Sequence, residues 1–180
     1  MMTRKVTCFA ASSSRNSINK QLVNYAAGLL DNAEVEILDL NDYELPLFSV
    51  DREVELGQPA LARAFVDKIQ GSDALIIAFA EHNGCYSAAY KNLYDWASRI
   101  EGKVYRDKPM VLLATSPGGR GGKSVLELAL AQMPRFGGDV RGSVSVPSFA
   151  DNFDSDRGEI SNAAIAAEIR AALARLMSDD

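Results

Sequence analysis

The stretch ALIIAFA, Ala74–Ala80, is the most apolar run of the chain and decides its fold class. An apolar run of this length without alternation is typical of a strand that is buried on both faces of a sheet. Four other short apolar runs predict further strands: KVTCFAA (Lys5–Ala11), EVEILDL (Glu34–Leu40), PMVLLATS (Pro109–Ser116) and SVSVP (Ser143–Pro147).

Helical periodicity fills the intervals between these runs. Ile18, Leu22, Tyr25 and Leu29 lie on one helical stripe, and similar stripes run through 61–69, 86–100 and 165–176. Ser124 and Glu127 have the spacing of a capping box, which predicts the start of one more helix. This strict alternation predicts an α/β fold, a flavodoxin-like doubly wound sheet of five parallel strands in the order 2-1-3-4-5 with helices on both faces.

Length and composition narrow the class of protein. The 180 residues predict a single domain over 1–180, and the net charge of −5 lacks the basic footprint of a nucleic-acid-binding protein. The N-terminal apolar run, Val6–Ala11, is too short to span a membrane and is followed by no clear signal-peptide cleavage site. Cys8 and Cys85 have no CxxC spacing, so we expect reduced thiols in a cytoplasmic protein with no membrane association.

Ligands of such sheets bind at the carboxyl ends of the strands, where the strand order reverses, so the loops after strands 1, 3 and 4 are the informative ones. The first loop contains no glycine, which disfavours a Rossmann dinucleotide clamp. It offers hydroxyls, an amide and a guanidinium beside a helix N-terminus, which suits a phosphate. These candidate ligands are Ser13, Arg15, Ser17 and Asn19; the alternative is a helix cap with a solvated arginine.

The second loop follows the most apolar strand directly. Glu81, His82 and Asn83 present polar groups there, and Gly84 permits a close approach of the backbone. Cys85 adds a third possible donor, but the set lacks the spacing of a zinc site, and we expect no metal. His82 is the only histidine of the chain, and packing is a simpler role for it than proton transfer.

The third loop, SPGGRGGKS (Ser116–Ser124), resembles a Walker A motif but does not match it. Five positions before Gly122 lies Pro117 where the motif requires glycine, which disfavours a P-loop kinase-like enzyme. The four glycines instead allow backbone N–H groups to approach a flat ligand, unless the loop is only a mobile turn. A phosphate site beside a flat-ring site is what FMN requires, and a flavin brings its own chemistry.

Longer motifs strengthen this interpretation. SSSRNSIN (12–19), AEHN (80–83), YKNLYDWASR (90–99), LPLFSVD (45–51) and the SPGGRGG loop together resemble the NADPH-dependent FMN reductases of flavodoxin-like fold, over roughly 5–146. The first motif is one residue shorter here between Arg15 and Ser17. Ala80 and His82 stand where the family has proline and tyrosine, and CYSA (85–88) replaces its SxPG, so the surroundings of the ring are altered.

The resemblance implies a role for each candidate residue. Ser13, Arg15, Ser17 and Asn19 would hold the FMN phosphate, Glu81, His82 and Asn83 would border the ribityl chain and the isoalloxazine, and Ser116, Gly118 and Gly119 would line the other edge of the ring. No residue is assigned as catalytic, because the flavin N5 carries the chemistry; His82 is a possible modulator. Lys91, Asn92, Asp95 and Trp96 are interpreted as scaffold and subunit-packing residues.

The activity implied is a hydride transfer from NADPH or NADH to bound FMN and on to an acceptor such as a quinone, an azo compound, a metal oxyanion or free flavin, with ping-pong kinetics. The alternative is a flavodoxin-type electron carrier or flavin-binding module without NAD(P)H activity. A homodimer or homotetramer is also implied. The acidic loop Asp151–Gly158 is either a solvated linker or a segment that approaches a neighbouring subunit.

Overall fold

The structure, a computed structural model, describes residues 3–178, so the ends of the predicted domain at 1 and 180 lie outside the described residues. Its centre is a parallel sheet of five strands in the order β2-β1-β3-β4-β5, which confirms the predicted fold class. The strands are β1 (Arg4–Ala11), β2 (Ala33–Leu38), β3 (Ala74–Phe79), β4 (Lys108–Thr115) and β5 (Gly138–Val146). The predicted bounds of β1, β3 and β4 differ from these by no more than one residue at each end.

Seven helices accompany the sheet in the described chain: α1 (Ile18–Gly28), α2 (Val50–Leu56), α3 (Ala60–Gln70), α4 (Ala88–Ile100), α5 (Lys123–Gln132), α6 (Phe149–Asn152) and α7 (Ala163–Met177). Side chains of α3, α4 and α5 pack on one face of the sheet, around Phe9, Ile77 and Leu112. Side chains of α1 and α7 pack on the other face, around Cys8 and Ile76. Every residue of β3 is buried, as its unbroken apolar run predicts.

Two predicted strands have different bounds in the structure. β2 ends at Leu38, because Asp39 caps a short 3-10 helix, Leu40–Tyr43, by accepting a hydrogen bond from Asn41 N. β5 begins five residues earlier than predicted, at Gly138, because the segment before Ser143 pairs with β4 as a half-exposed edge strand. Such a strand needs no continuous apolar run, which is why its pattern is weak in the sequence.

Two segments between the predicted elements also have regular structure. Helix α2 was not predicted, and it has no buried residue, so its apolar side chains leave no inward-facing pattern. The acidic loop Asp151–Gly158 is not a simple linker. It contains the end of α6 and the strand β6 (Phe153–Asp154), which pairs antiparallel with β7 (Glu159–Ile160) directly after the loop.

Candidate functional site

The carboxyl ends of β1, β3 and β4 meet at one edge of the sheet and present three neighbouring loops, which we call the first loop (12–17), the second loop (81–87) and the third loop (116–122). Two buried side chains join these loops through the backbone. Ser87 Oγ donates to Ala11 O at 2.8 Å, which connects the second loop to β1. Asn19 Nδ2 donates to Thr115 O at 3.1 Å and its Oδ1 accepts from Thr115 N at 3.0 Å, which connects α1 to the end of β4.

The first loop exposes four consecutive side chains, Ser13 to Asn16, at the N-terminus of α1. The Arg15 guanidinium is exposed, and among the described residues it forms no ion pair and no side-chain hydrogen bond. Helix α1 has no acidic residue in its first turn, so its positive end is not neutralised locally. An unpaired guanidinium beside such a helix end is suited to bind an anionic oxygen cluster.

Ser17 and Asn19 belong to the frame of the first loop rather than to its exposed surface. Ser17 is the N-cap of α1, where its Oγ accepts from Lys20 N at 3.3 Å, and it is 7% exposed. Asn19 is 3% exposed, and both of its amide atoms bond to Thr115. These bonds hold the turn at the start of α1, and direct contact of the two residues with the phosphate stays a prediction.

A salt bridge fixes the other side of α1. The Lys20 ammonium bonds to the Asp39 carboxylate at the end of β2. This hydrogen bond, reinforced by Asn41 N, lowers the pKa of the Asp39 carboxyl below its usual value. The N-terminal turn of α1 is thus bonded at two points of the sheet edge, the ends of β2 and β4.

The second loop is built on a tight turn at Asn83–Gly84. His82 N donates to Cys85 O at 2.9 Å and Cys85 N donates to His82 O at 3.0 Å. Asn83 and Gly84 have φ values of 53° and 74°, which is the backbone of a type I′ turn and explains the Asn-Gly pair. His82, Asn83 and Cys85 are exposed on this turn, so their side chains remain accessible at the edge.

Glu81 connects the second loop to the third loop through α5. Its Oε2 accepts from Val125 N, in the first turn of α5, at 3.0 Å. The N-cap of α5 is Gly122, which has no side chain to cap the helix, so Glu81 takes over that role. The predicted capping box is wrong: Ser124 lies inside the helix and its Oγ accepts from Arg120 Nη2 at 3.0 Å.

Two of the four glycines of the third loop are required by the fold. Gly121 has φ +59°, and a Cβ there would lie 2.5 Å from Ser145 Oγ and 2.8 Å from Pro147 N. Gly122 has φ +71°, and its Cβ would lie 3.0 Å from the Ala114 Cβ. Both residues pass close to the end of the sheet in a left-handed conformation that other residues rarely adopt.

The other two glycines have no such reason in the packing. A Cβ on Gly118 would meet no atom within 4 Å, and one on Gly119 would meet only Ser148 Oγ, at 4.0 Å. Neither residue has a positive φ, and both are exposed. The loop is nevertheless ordered, since Gly118 O accepts from Ser148 N at 2.9 Å and from Ser116 Oγ at 3.1 Å. Open backbone of this kind allows a flat ligand to approach it without obstruction by a Cβ.

A residue that the sequence analysis missed borders the third loop from β5. Ser148 follows the end of β5 and has φ 43°, an unusual value for a residue other than glycine. Its N–H bonds to Gly118 O, which holds the open backbone against the end of β5. Pro147 marks the end of the strand in the sequence, but nothing local marks Ser148 itself, because its bond is to a loop 30 residues earlier.

Three side chains in or next to α4, those of Tyr86, Asn92 and Trp96, form hydrogen bonds that hold neighbouring segments in place. Tyr86 donates its hydroxyl to Gln132 Oε1 at 3.0 Å, and burial raises its pKa, so the hydroxyl stays protonated. Asn92 Oδ1 accepts from Phe48 N at 2.8 Å, and Trp96 Nε1 donates to Pro46 O at 2.7 Å. These bonds hold the LPLF segment to α4, as the predicted scaffold role of both residues requires.

These observations fit FMN as the group bound at the edge: an unpaired cation at a helix N-terminus on one side, and open glycine backbone on the other. Within residues 3–178 there is no group of three or more histidine, cysteine, aspartate or glutamate residues that could hold a metal ion. Cys8 lies in the buried sheet, and desolvation raises the pKa of its thiol to about 12, so it stays protonated. The fold and the site together define a flavodoxin-like, mononucleotide-binding α/β protein.

The chain belongs to the NADPH-dependent FMN reductase family, whose model matches residues 4–151. It is 33% identical over 128 residues to the NADPH:quinone oxidoreductase of Arabidopsis thaliana, with 69% of this chain and 64% of that protein covered. It is 35% identical over 122 residues to the 2-hydroxy-1,4-benzoquinone reductase of a Burkholderia species, with 67% and 64% covered. The matched region thus spans just under two thirds of these two relatives.

The solved structures agree on the fold. The flavoenzyme NAD(P)H:(acceptor) oxidoreductase FerB from Paracoccus denitrificans superposes with a TM-score of 0.75 at 24% identity, over 96% of this chain and 95% of that one. Family membership confirms the prediction of an oxidoreductase that uses FMN with a nicotinamide reductant. None of the helices in the described part of the chain is long and apolar enough to cross a membrane.

Proposed function

We propose that this chain binds FMN at the edge formed by the three loops and reduces small acceptors there, such as a quinone, an azo compound, a metal oxyanion or free flavin, at the expense of NADPH or NADH. FMN, when bound, supplies the site that accepts a hydride from the nicotinamide and returns two electrons to the acceptor. The chain contributes binding, orientation and access, so no residue needs to act as acid, base or nucleophile.

The observation that carries the proposal is the unpaired Arg15 guanidinium at the N-terminus of α1, on the same edge as the open Gly118–Gly119 backbone. Arg15 and Ser13 would bind the phosphate, while Ser17 and Asn19 position the turn that presents them. Exposed backbone at Ser116, Gly118 and Gly119 would line one edge of the ring. His82 and Asn83 would border the other, on a turn that Glu81 fixes to α5.

Reductant and acceptor would reach the ring at the same edge of the sheet, so we propose that they bind in turn. Such a reaction gives parallel lines in double-reciprocal plots, the signature of a ping-pong mechanism. We also propose that the enzyme works in the cytoplasm as a single domain.

The assembly is proposed to be a homodimer or homotetramer. Its support is an apolar surface around α2, where Leu47, Val50 and Val54 are 72%, 66% and 83% exposed. Exposed apolar patches rimmed by charge are typical of protein interfaces. Val54→Glu should shift the species seen in light scattering toward the monomer, whereas a monomeric wild-type protein would contradict the assembly.

The first experiment measures FMN binding to the purified protein by quenching of flavin fluorescence. Arg15→Ala should raise the Kd for FMN by about 10- to 100-fold, since a hydrogen bond to a charged group contributes about 1.5–3 kcal/mol. Arg170→Ala is the matched control, because Arg170 is exposed in the middle of α7, away from the loops. Equal Kd values for the two variants would contradict the phosphate site.

The second experiment separates the enzyme from an electron carrier. NADPH is mixed anaerobically with the FMN-loaded protein, and the visible absorbance of the oxidised flavin is followed. Rapid bleaching, and its reversal by a quinone, are expected of the reductase. A protein that binds FMN without being bleached by NADPH or NADH would be a flavodoxin-type carrier, and one that fails to bind FMN would overturn both interpretations.

A further inference from the structure

A surface groove of about 800 Å³ begins at Gly119 of the third loop and runs between α5 and the open edge of β5. Its volume is typical of sites that bind a small organic molecule. It lies next to the proposed ring site but contains none of the residues assigned there apart from Gly119. Neither the family resemblance nor the proposed FMN site assigns a role to it.

One wall of the groove is a single stripe of α5. Lys123, Leu126, Glu127 and Leu130 are spaced at i, i+3, i+4 and i+7, so they share one face of the helix. The stripe is cationic at the end near the third loop and apolar at the far end, where Leu130 is 37% exposed. Seven residues of helix span about 10 Å, so the two ends of the groove are that far apart.

The opposite wall comes from β5. Ser143 and Ser145 alternate along the strand and therefore point to the same face of the sheet, and Pro147 follows the end of the strand. Small polar residues there, with Ser143 exposed, leave this side of the edge strand without a covering helix. The groove is thus open to solvent along its length, while Ser145 Oγ fixes its near end by donating to Gly121 O at 2.9 Å.

The near end of the groove carries two cations in a chain of net charge −5. Arg120 and Lys123 are both exposed, and within residues 3–178 neither forms an ion pair. Ser124 Oγ accepts from Arg120 Nη2 at 3.0 Å, which orients the guanidinium at the N-terminus of α5. The N-terminus of α5 is already capped by the Glu81 carboxylate at Val125 N, so the positive field at this end of the groove comes from the two side chains. Glu127 is the one carboxylate of the groove lining.

We infer that this groove binds the adenosine diphosphate half of the nicotinamide nucleotide. Arg120 and Lys123 bind the diphosphate, and Leu126 and Leu130 contact the adenosine. The inference rests on the proposed function. The order of groups along the groove matches the order in the nucleotide: the nicotinamide at the ring, then a double anion at the cations, then an apolar, flat base. A guanidinium is suited to hold a phosphate with two hydrogen bonds.

The test compares three hydride donors: NADPH, NADH and N-benzyl-dihydronicotinamide, a neutral donor that lacks both phosphates and the adenosine. Arg120→Ala with Lys123→Ala should lower kcat/KM by at least about tenfold for both nucleotides, as expected for the loss of charge-assisted hydrogen bonds. The benzyl donor should react at an unchanged rate. Leu130→Gln should show the same pattern with a smaller loss, about three- to fivefold.

A substitution of Glu127, the one carboxylate of the groove lining, should change kcat/KM in the opposite direction. Glu127→Gln removes a negative charge beside the diphosphate and should raise kcat/KM for NADPH and NADH without affecting the benzyl donor. The matched control is Lys103→Ala, because Lys103 is exposed before β4, at the opposite end of the sheet. The Kd for FMN is measured for every variant and should remain at the wild-type value.

Three results would overturn the inference while leaving the proposed function intact. Nucleotide kinetics could be unchanged in the double variant, the loss could extend to the benzyl donor, or it could be confined to NADPH, which would place the cations on the ribose phosphate instead of the diphosphate. A wild-type protein that binds FMN but oxidises none of the three donors would instead refute the proposed function.

Discussion

Two Gly→Ala substitutions in the third loop distinguish a glycine that the fold requires from one that the proposed ligand requires. Gly121→Ala places a Cβ 2.5 Å from Ser145 Oγ at a φ of +59°. The left-handed conformation costs an alanine about 1–2 kcal/mol, and overpacking costs about 1–3 kcal/mol more. We therefore expect Gly121→Ala to lower the free energy of unfolding by about 2–5 kcal/mol, a large part of the stability of a typical domain.

Gly119→Ala should have the opposite profile. Its Cβ would meet only Ser148 Oγ, at 4.0 Å, and its φ is not positive, so the FMN-free protein should keep its stability or gain up to about 1 kcal/mol from a less flexible unfolded chain. Gly119 belongs to the open backbone proposed to line the ring, so a Cβ there would reduce the space left for the flavin. If it clashes there by the usual 1–3 kcal/mol of overpacking, the Kd for FMN rises by about 5- to 150-fold.

Urea unfolding of the FMN-free variants gives the first quantity, and flavin fluorescence gives the second. FMN must be absent from the unfolding experiment, because a ligand that binds only the folded state raises its apparent stability. The reasoning is refuted if Gly119→Ala unfolds as easily as Gly121→Ala, or if it binds FMN with the wild-type Kd. The latter result would move the ring away from the third loop.

Substitutions at three further positions test the residues that hold the loops in place. Glu81→Gln should lower the free energy of unfolding by about 1 kcal/mol through the weakened cap of α5, as urea unfolding would show, and a larger loss in Glu81→Ala is expected. Asn19→Leu leaves the buried Thr115 N–H and C=O without partners and should cost about 2–4 kcal/mol by the same measurement; an unchanged midpoint would contradict the buried bonds. Asp39→Asn should cost less than about 1 kcal/mol at neutral pH, because the bond to Lys20 is partly exposed. Since the folded pKa of Asp39 is lowered, this stabilisation is present above its unfolded pKa of about 3.9 and is lost as the pH falls through the folded value, so the variant and wild type should converge in acid.

The sheet could be predicted because burial leaves a local signature in the sequence. The β3 run is apolar at every position since both of its faces are covered. Alternation with helices predicts a parallel sheet, and five strands in 180 residues fit the flavodoxin-like order. Helix α2 left no such signature, because Val50 and Val54 have helical spacing but point away from the core. The early part of β5 was missed for a related reason: a half-exposed edge strand is not required to be apolar.

The sequence predicted where the candidate site lies, but not which of its residues are available to a ligand and which hold the loops in place. Arg15 is exposed and forms no ion pair among the described residues, and Gly118 is exposed without a Cβ, as a ligand-binding role requires. Asn19 and Glu81 looked equally suited to a ligand, yet their partners are Thr115, 96 residues away, and Val125, 44 residues away. No local spacing encodes bonds of that range, so a short motif cannot distinguish a side chain that binds the ligand from one that holds the loop.

There is a physical reason why the buried polar residues hold the loops and the exposed ones are available to a ligand. A buried polar group must be hydrogen bonded within the protein, since an unpaired one costs about 1–3 kcal/mol. Five polar side chains of this edge are buried, and each is bonded to a backbone atom: Ser12, Ser17, Asn19, Ser87 and Thr115. The groups left for a ligand are those that water can satisfy in its absence, which are the exposed ones. Because the bonds of the buried set do not involve the ligand, the frame exists before binding, and the interaction energy of FMN need not be spent on ordering the loops.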